Sequence, residues 1–471
     1  MLSDALLRNL NICGLSDDSR RVKPGDLFFS FPVENNESFA KTAFLKGAVA
    51  IVSEIDAPAE MTSKWIQVKN VKEARLKAAS YFYGNPFSKI KVHAVTGTNG
   101  KTTSVFLMEA MLTAGGRKTA LIGTIHNKIG NEIEPSSLTT PGLLDLFAFA
   151  KKAVDANCSD LVMEVSSHAL HQDRIAGILF QTALFSNLTQ DHLDYHETMS
   201  NYFEAKKKLF TTYLAKDSFS VINIDDQYGE SLFNSLNGKK VAVSRLKRQG
   251  ADIYPTEEVI NTEKGMSIKV STISDEPFTT NLCGEFNIDN VLLVLGFALA
   301  LRLPESAMRI ALETVRVHGR FEIVYNENQK HVVVDYAHTP DALERVLTTA
   351  RELCKGQLAV LFGCGGDRDK TKRPLMGAIA ATHADVVWVT SDNPRTEVAS
   401  EIIKDIMAGI DKKENAFLME NRAEAIAIAC SSMRENDWLV IAGKGHETYQ
   451  IIGTKKHHFD DSEEVQKAMS L

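Results

Sequence analysis

Short apolar runs alternate with amphipathic stretches along most of this chain. From Leu27 to about Lys89 the pattern is strand, helix, strand. Leu27-Phe28-Phe29-Ser30-Phe31 follows the turn Lys23-Pro24-Gly25-Asp26, and Gly47-Ala48-Val49-Ala50-Ile51-Val52 closes the unit. From Ile90 onward, apolar strands alternate with helical stretches, the mark of a parallel sheet with crossover helices. Strands are predicted over 92–96, 120–124, 160–165, 182–186 and 218–223. Residues 239–282 break the rhythm. There Met266-Ser267-Ile268-Lys269-Val270 alternates after the turn Lys264-Gly265, predicting antiparallel hairpins appended to the sheet. A helix is expected over 287–301, stopped at Leu303-Pro304. A third alternating block starts near Gly319, with strands at 331–335, 358–362, 386–390 and 438–442. Each of these strands runs directly into a polar loop bearing glycine or proline. The expected architecture is α/β in three domains, with boundaries at 1–89, 90–318 and 319–471. The first is small and α/β, the second a P-loop-type, mainly parallel sheet, and the third Rossmann-like.

Composition narrows the function without naming it. A length of 471 residues suits about three domains at roughly 150 residues each. With 44% hydrophobic and 24% charged residues, the chain has the composition of a folded protein rather than a disordered one. A formal charge of −7 argues against non-specific nucleic-acid binding, so an anionic substrate needs a local cluster of cations. The longest apolar run, 291–301, includes Gly296 and falls short of the roughly 20 residues a bilayer span needs; it reads as a buried helix. Met1-Leu2-Ser3-Asp4 lacks a basic region followed by an apolar core, so no secretory signal is expected. The six cysteines have no CxxC spacing, which points to reduced thiols in a cytoplasmic enzyme.

Thr96-Gly97-Thr98-Asn99-Gly100-Lys101-Thr102-Thr103 joins a predicted buried strand to a helix over 104–114. Glycines let backbone N–H groups wrap phosphate oxygens, and the helix N-terminus adds favourable partial charge. Lys101 would reach the β- and γ-phosphates, and the Thr102 hydroxyl would ligate magnesium. Val95 takes the place of the first glycine in the full GxxxxGK[ST] pattern. Glu164 ends an apolar strand level with that loop, a placement suited to the metal that ATP carries. In Asn187-Leu188-Thr189-Gln190-Asp191-His192-Leu193-Asp194-Tyr195-His196 the two histidines are four apart, without the further nearby ligands that zinc needs. His192 alone on magnesium is the better reading. Residues 201–210 form an amphipathic helix on which Lys206 interrupts the face of Tyr202, Phe203, Leu209 and Phe210. Taken by itself, Lys206 reads as a lysine whose ammonium reaches out to solvent.

Three further strand-end loops carry charge: Gly363-Cys364-Gly365-Gly366-Asp367-Arg368-Asp369-Lys370, Ser391-Asp392-Asn393-Pro394-Arg395 and Ala442-Gly443-Lys444-Gly445-His446-Glu447. Each alone fits a plain turn as well as a binding site. Three at successive strand ends indicate a shared site, because ligands of open α/β sheets bind beyond the carboxyl ends of the strands. Arg368 and Arg395 would grip carboxylates as planar forks, and Glu447 would accept an ammonium.

Together with His318-Gly319-Arg320-Phe321-Glu322 and Asp335-Tyr336-Ala337-His338-Thr339-Pro340, these segments give the chain a pattern that resembles the Mur ligase family over nearly its whole length. The resemblance implies a cytoplasmic ligase of peptidoglycan precursor synthesis, using ATP and Mg2+ and serving cell-wall biogenesis, cell shape and division. Its catalytic residues would be Lys101, Glu164, His192 and Lys206. Lys206 falls at the position of the family's carbamoylated lysine and would join Thr102, Glu164 and His192 around the metal. ATP would be held by Gly97, Thr98, Asn99, Gly100, Lys101, Thr102 and Thr103, with Asn290 and Arg320 on the adenine nucleotide and Asp335 on its ribose. Thr139, Thr140, Ser166 and Arg174 would hold a muramoyl peptide, with Ser19 and Arg20 near its uridine end. The three domains would then bind the UDP-linked substrate, ATP and the amino acid in turn, in a monomer.

Asp392-Asn393-Pro394-Arg395 is similar to the motif of members that add meso-diaminopimelate to UDP-N-acetylmuramoyl-L-alanyl-D-glutamate, whereas lysine-adding members generally lack that arginine. The expected substrate contacts are Arg368, Asp392, Asn393, Arg395, Gly443 and Glu447. Diaminopimelate carries a second amino-acid head whose extra carboxylate suits a planar cation. The chain departs from the family in its first domain, where Val33-Glu34-Asn35-Asn36-Glu37-Ser38-Phe39 replaces an Asp-Gly-His-like stretch. Three alternatives stay open: the lysine-adding ligase, a folylpolyglutamate synthetase-like ligase, and a nucleotide-switch binding protein without ligase activity.

Overall fold

The computed structural model describes residues 3–411 and 413–470. Met1 and Leu2, part of the stretch bearing on a secretory signal, lie outside the described residues. The chain is α/β with sheets rich in parallel pairings. Eight strands make one sheet in the order Lys239–Val243, Leu214–Asn223, Phe180–Phe185, Lys91–Thr96, Asp160–Glu164, Thr119–Ile122, His126–Ile129, Glu132–Pro135. The predicted strands are present within a few residues. An antiparallel pair, His126–Ile129 with Glu132–Pro135, adds an unpredicted edge. Residues 239–282 depart from expectation in two ways. Lys239–Val243 pairs parallel with Leu214–Asn223. The antiparallel strands Ile260–Thr262, Gly265–Ile268 and Phe278–Thr280 make a separate sheet.

The chain divides into two compact units. One comprises Met1–Ala94, Arg117–Ala183 and Ala205–Ser218. It holds a four-stranded sheet, Gly14–Ser16, Asp26–Ser30, Ala50–Ser53 and Trp65–Gln67, with every pairing parallel. Both faces of this sheet are buried, which is why Leu27-Phe28-Phe29 is continuously apolar rather than alternating. Leu27, Phe29, Ala50 and Val52 share a core with Val71, Ala74 and Ala78, and with Leu143, Leu144 and Phe147 of helix Leu143–Asp155.

The other unit comprises Val95–Gly116, Leu184–Glu204 and Phe219–Leu471. Helix Glu285–Leu301 contains the apolar run, and Val291, Leu292, Leu293, Val294, Leu295 and Phe297 are all buried. A side chain at Gly296 would meet Val221 Cγ1 at 2.5 Å, so the glycine permits close packing of helix on strand. A six-stranded sheet follows in the order Glu322–Glu327, Lys330–Asp335, Trp438–Ala442, Leu358–Phe362, Val386–Val389, Ala416–Leu418. Only the first pairing is antiparallel. Leu343, Leu347, Met376 and Ile402 cover one face, and Ala425, Ile426 and Val465 the other, the doubly wound plan. Among the described residues, no helix is long and apolar enough to cross a membrane.

Candidate active site

The glycine-bearing loop joins strand Lys91–Thr96 to a helix as the sequence predicts, although that helix starts at Lys101 rather than residue 104. Gly97 and Gly100 sit at φ 153° and 84°. A Cβ on Gly97 would collide with Ser186 Oγ, and one on Gly100 with Asn290 Oδ1, so both positions demand glycine. The loop after strand Phe180–Phe185 buttresses it. Thr98 N donates to Asn187 O at 2.9 Å, Asn99 N to Asn187 Oδ1 at 2.9 Å, and Ser186 Oγ to Asn99 O at 2.6 Å. The Lys101 ammonium folds over the loop and donates to Gly97 O and Thr98 O at 2.9 and 2.7 Å.

Asn290 backs Gly100 and donates to Asn287 Oδ1 at 2.9 Å. Arg320 Nη2 donates to Thr102 Oγ1 at 3.2 Å, and its guanidinium lies 4.6 Å from the centre of the Tyr336 ring. Its Nε is buried with no hydrogen-bond partner among the described residues. Asp335 accepts from Phe321 N and Ala337 N, both at 2.7 Å, and burial pushes its carboxyl pKa upward.

In the six-stranded sheet, Asp335, Ala442 and Phe362 are register partners at their strand ends, and Phe362 pairs with Val389. The charged loops therefore leave the sheet along one edge. Asn393 Nδ2 donates to Glu447 Oε2 at 2.7 Å, and the buried Lys444 ammonium lies 3.4 Å from the same oxygen. Burial, with Asp392 adding repulsion, raises the Glu447 pKa. A Cβ on Gly443 would meet Asp392 Oδ2 at 2.7 Å. Arg395, at φ 52°, donates from Nη1 to Gly366 O at 2.7 Å. A side chain on Gly365 would approach both Arg395 Nη1 and the exposed Arg368.

The glycine-bearing loop at 97–103 and the charged strand-end loops of this unit are linked. Gly443 N donates to Asp335 O at 3.1 Å, the Tyr336 and His446 rings lie 4.8 Å apart, and Gly319 leaves no room for a side chain beside His446 N. A line of contacts thus runs from Thr102 through Arg320 and Tyr336 to His446, next to Glu447. Tyr336, His446, Asn187, Thr189 and Asp341 were given no role on sequence. The first four stand inside the strand-end motifs, the only local signal they carry. His192 caps the short helix Leu193–His196 at φ 53°, and its backbone N–H donates to Asp191 Oδ1 at 2.8 Å.

The other unit gathers a second group. Glu164 is fully buried and accepts from Thr124 N and Oγ1 at 2.7 and 3.1 Å; Thr124 Oγ1 lies 3.0 Å from Thr139 Oγ1. Thr140 Oγ1 donates to Glu164 O at 2.8 Å and accepts from Ser166 N at 3.0 Å, while Arg174 Nη1 donates to Thr140 O at 3.0 Å. Thr139, Thr140, Ser166 and Arg174 are therefore one network around Glu164. Ser19 is buried outside it, and exposed Arg20 pairs with Asp18 at 2.8 Å. Lys206 corrects the reading made from its helix alone. It does not reach solvent: it is 1% exposed, among the largest fully buried side chains. Burying an ammonium is unfavourable without compensating partners, so a lysine here is held for chemistry or for a specific contact.

The pattern called the Mur ligase middle domain matches residues 95–298, and that called Mur ligase, glutamate ligase domain, matches 319–445. The chain belongs to the Mur ligase family. Similar proteins include one of Geobacter metallireducens, 43% identical over 488 residues, covering 98% of this chain and 94% of its own. Another, of Clostridium botulinum, is 44% identical over 460 residues, covering 96% and 93%. Both are named UDP-N-acetylmuramoyl-L-alanyl-D-glutamate–2,6-diaminopimelate ligase. A solved structure of a ligase of that name superposes with TM-score 0.69 at 33% identity, over 98% of this chain and 95% of that one. An ADP complex of Mycobacterium tuberculosis folylpolyglutamate synthase, at 19% identity, shares the fold with TM-score 0.65, over 79% and 92%.

Proposed function

We propose that this chain joins meso-diaminopimelate to the free carboxylate of the D-glutamyl residue in UDP-N-acetylmuramoyl-L-alanyl-D-glutamate, converting ATP to ADP and phosphate. The observation that carries the proposal is the continuous line from Thr102 through Arg320, Tyr336 and His446 to Glu447. It joins a triphosphate loop to loops stocked for a carboxylate and an ammonium. The relatives' names supply the substrate pair.

In this reading the γ-phosphoryl group passes to the D-glutamyl carboxylate, the incoming amine attacks the acyl carbon, and phosphate leaves. Catalysis is mainly positioning and charge neutralisation, with the Lys101 ammonium moving from its loop carbonyls to the phosphates. Arg395 and Arg368 bind the distal carboxylate of diaminopimelate, and Glu447, Asp392 and Asn393 its distal ammonium. Thr139, Thr140, Ser166 and Arg174 hold the muramoyl peptide, with Ser19 toward the uridine. Asn290, Arg320 and Asp335 hold the nucleotide.

Magnesium would be held by Thr102, Glu164, His192 and Lys206, the last as its carbamate. Hydroxyl and carboxylate oxygens fit so hard a cation, and a buried Lys206 fits conversion to a carboxylate-like group. The ion would neutralise phosphate charge. The domains 1–89, 90–318 and 319–471 divide the work as UDP-substrate, ATP and amino-acid binding, in a cytoplasmic monomer.

Offering diaminopimelate and L-lysine in competition with the muramoyl dipeptide and ATP, then weighing the product by mass spectrometry, tests the proposal. A product carrying lysine, or none at all, overturns it.

A further inference from the structure

Asp341 has no part in the chemistry above, yet its carboxylate touches both loops that flank the triphosphate position. Asp341 Oδ2 accepts from Asn99 Nδ2 and from Thr189 Oγ1, each at 3.1 Å, and Asn99 Nδ2 also reaches Thr189 Oγ1 at 3.3 Å. Asn99 belongs to the phosphate loop, and Thr189 to the segment that buttresses it and leads to His192. Asp341 itself stands in the first turn of helix Pro340–Leu353, where the helix N-terminus favours a negative charge. That helix follows directly on the segment carrying Asp335, Tyr336 and Ala337. Arg345 Nε pairs with the same carboxylate, 3.2 Å from Oδ2 and 3.3 Å from Oδ1.

From this juxtaposition we infer that Asp341 is a positioning residue, tying the amino-acid-binding segment to the phosphate loop while the acyl phosphate exists. Asp341 and Arg320 are two clasps on residues that flank Lys101 in the chain, one on Asn99 and one on Thr102. The Arg320 clasp engages a hydroxyl expected to turn to magnesium, so it loosens in the loaded enzyme. The Asp341 clasp engages the side chains of Asn99 and Thr189, which lie outside the proposed metal ligands, and persists. Without it the segment opens more readily and water reaches the acyl phosphate. Water then attacks the acyl carbon, the carboxylate is regenerated, and inorganic phosphate and a proton are released with no amide formed.

This inference rests on the ligase reading, and one experiment separates the two. The full-length enzyme and its Asp341→Ala, Asp341→Asn and Arg345→Ala variants are assayed for phosphate released and amide product formed. The wild type releases one phosphate per amide. Asp341→Ala should release at least two, with a tenfold or greater fall in product-forming kcat/KM for ATP. Asp341→Asn, which retains an acceptor for Asn99 and Thr189, should restore the ratio to near one. Arg345→Ala, which removes only the ion pair, should stay there. A ratio of one in Asp341→Ala, whether activity is normal or uniformly lost, overturns the inference, since a merely structural defect lowers both yields together. Absence of amide from the wild type overturns the ligase reading instead.

Discussion

Replacing Gly100 by alanine tests the construction of the phosphate loop. At φ 84° an L-residue is strained, by roughly 1–2 kcal/mol. The new methyl would also stand closer to Asn290 Oδ1 than real Cβ contacts permit. If Asn290 moves, its buried 2.9 Å hydrogen bond to Asn287 is lost, at a further ~1–3 kcal/mol. The free loop can relax to avoid both penalties, but restoring the phosphate-ready geometry on binding then costs about 2–5 kcal/mol. ATP affinity should fall by about thirtyfold to several thousandfold, at ~1.4 kcal/mol per decade. Isothermal titration with a non-hydrolysable ATP analogue measures this directly. Asn290→Ala alone removes the proposed nucleotide contact, but in combination with Gly100→Ala it also removes the clash. The double variant should therefore bind at least 1 kcal/mol better than the sum of the single losses. Additivity within about 0.5 kcal/mol, or a harmless Gly100→Ala, would refute the steric argument.

Lys101→Ala should lower kcat/KM for ATP by ~3 kcal/mol or more, the scale of one preorganised donor; near-normal turnover in a steady-state assay excludes its assigned role. Arg395→Lys keeps the charge but loses the planar fork, so the preference for diaminopimelate over lysine should drop at least tenfold in competition assays. His318 lies 2.7 Å from Glu322 and 3.8 Å from Asp460, and these carboxylates raise its pKa to about 10. Because the folded value exceeds the unfolded 6.5, its stabilisation is complete below pH 6.5 and fades as pH rises toward 10. The ring is 40% exposed, so screening reduces the effect to roughly 1–2 kcal/mol. Thermal melts from pH 6 to 10 should show that decline, and His318→Gln should flatten it.

Much of this protein is legible in its sequence because the informative signals are local. Strand Trp438–Ala442 matches its predicted span because five apolar residues ended by a glycine loop have few other solutions. Gly97 and Gly100 announce a glycine turn between strand and helix, where Ser186 and Asn290 leave no room for a side chain. Lys206 was harder. Helical periodicity placed it on the apolar face, but whether a lysine there escapes to solvent depends on what covers the helix, and here it is covered. Lys239–Val243 was missed as a parallel strand because its pairing partner, not its own pattern, makes it one.

Local chemistry thus determined which segments are suited to phosphate, carboxylate and ammonium, and which turns carry them. Only the tertiary structure decided that they meet. The contacts of Asn99 with Asp341, Arg320 with Thr102 and Tyr336 with His446 join residues as many as 242 positions apart. Such pairings follow from strand order and register, which depend on the whole core and are invisible to the spacing of neighbours along the chain.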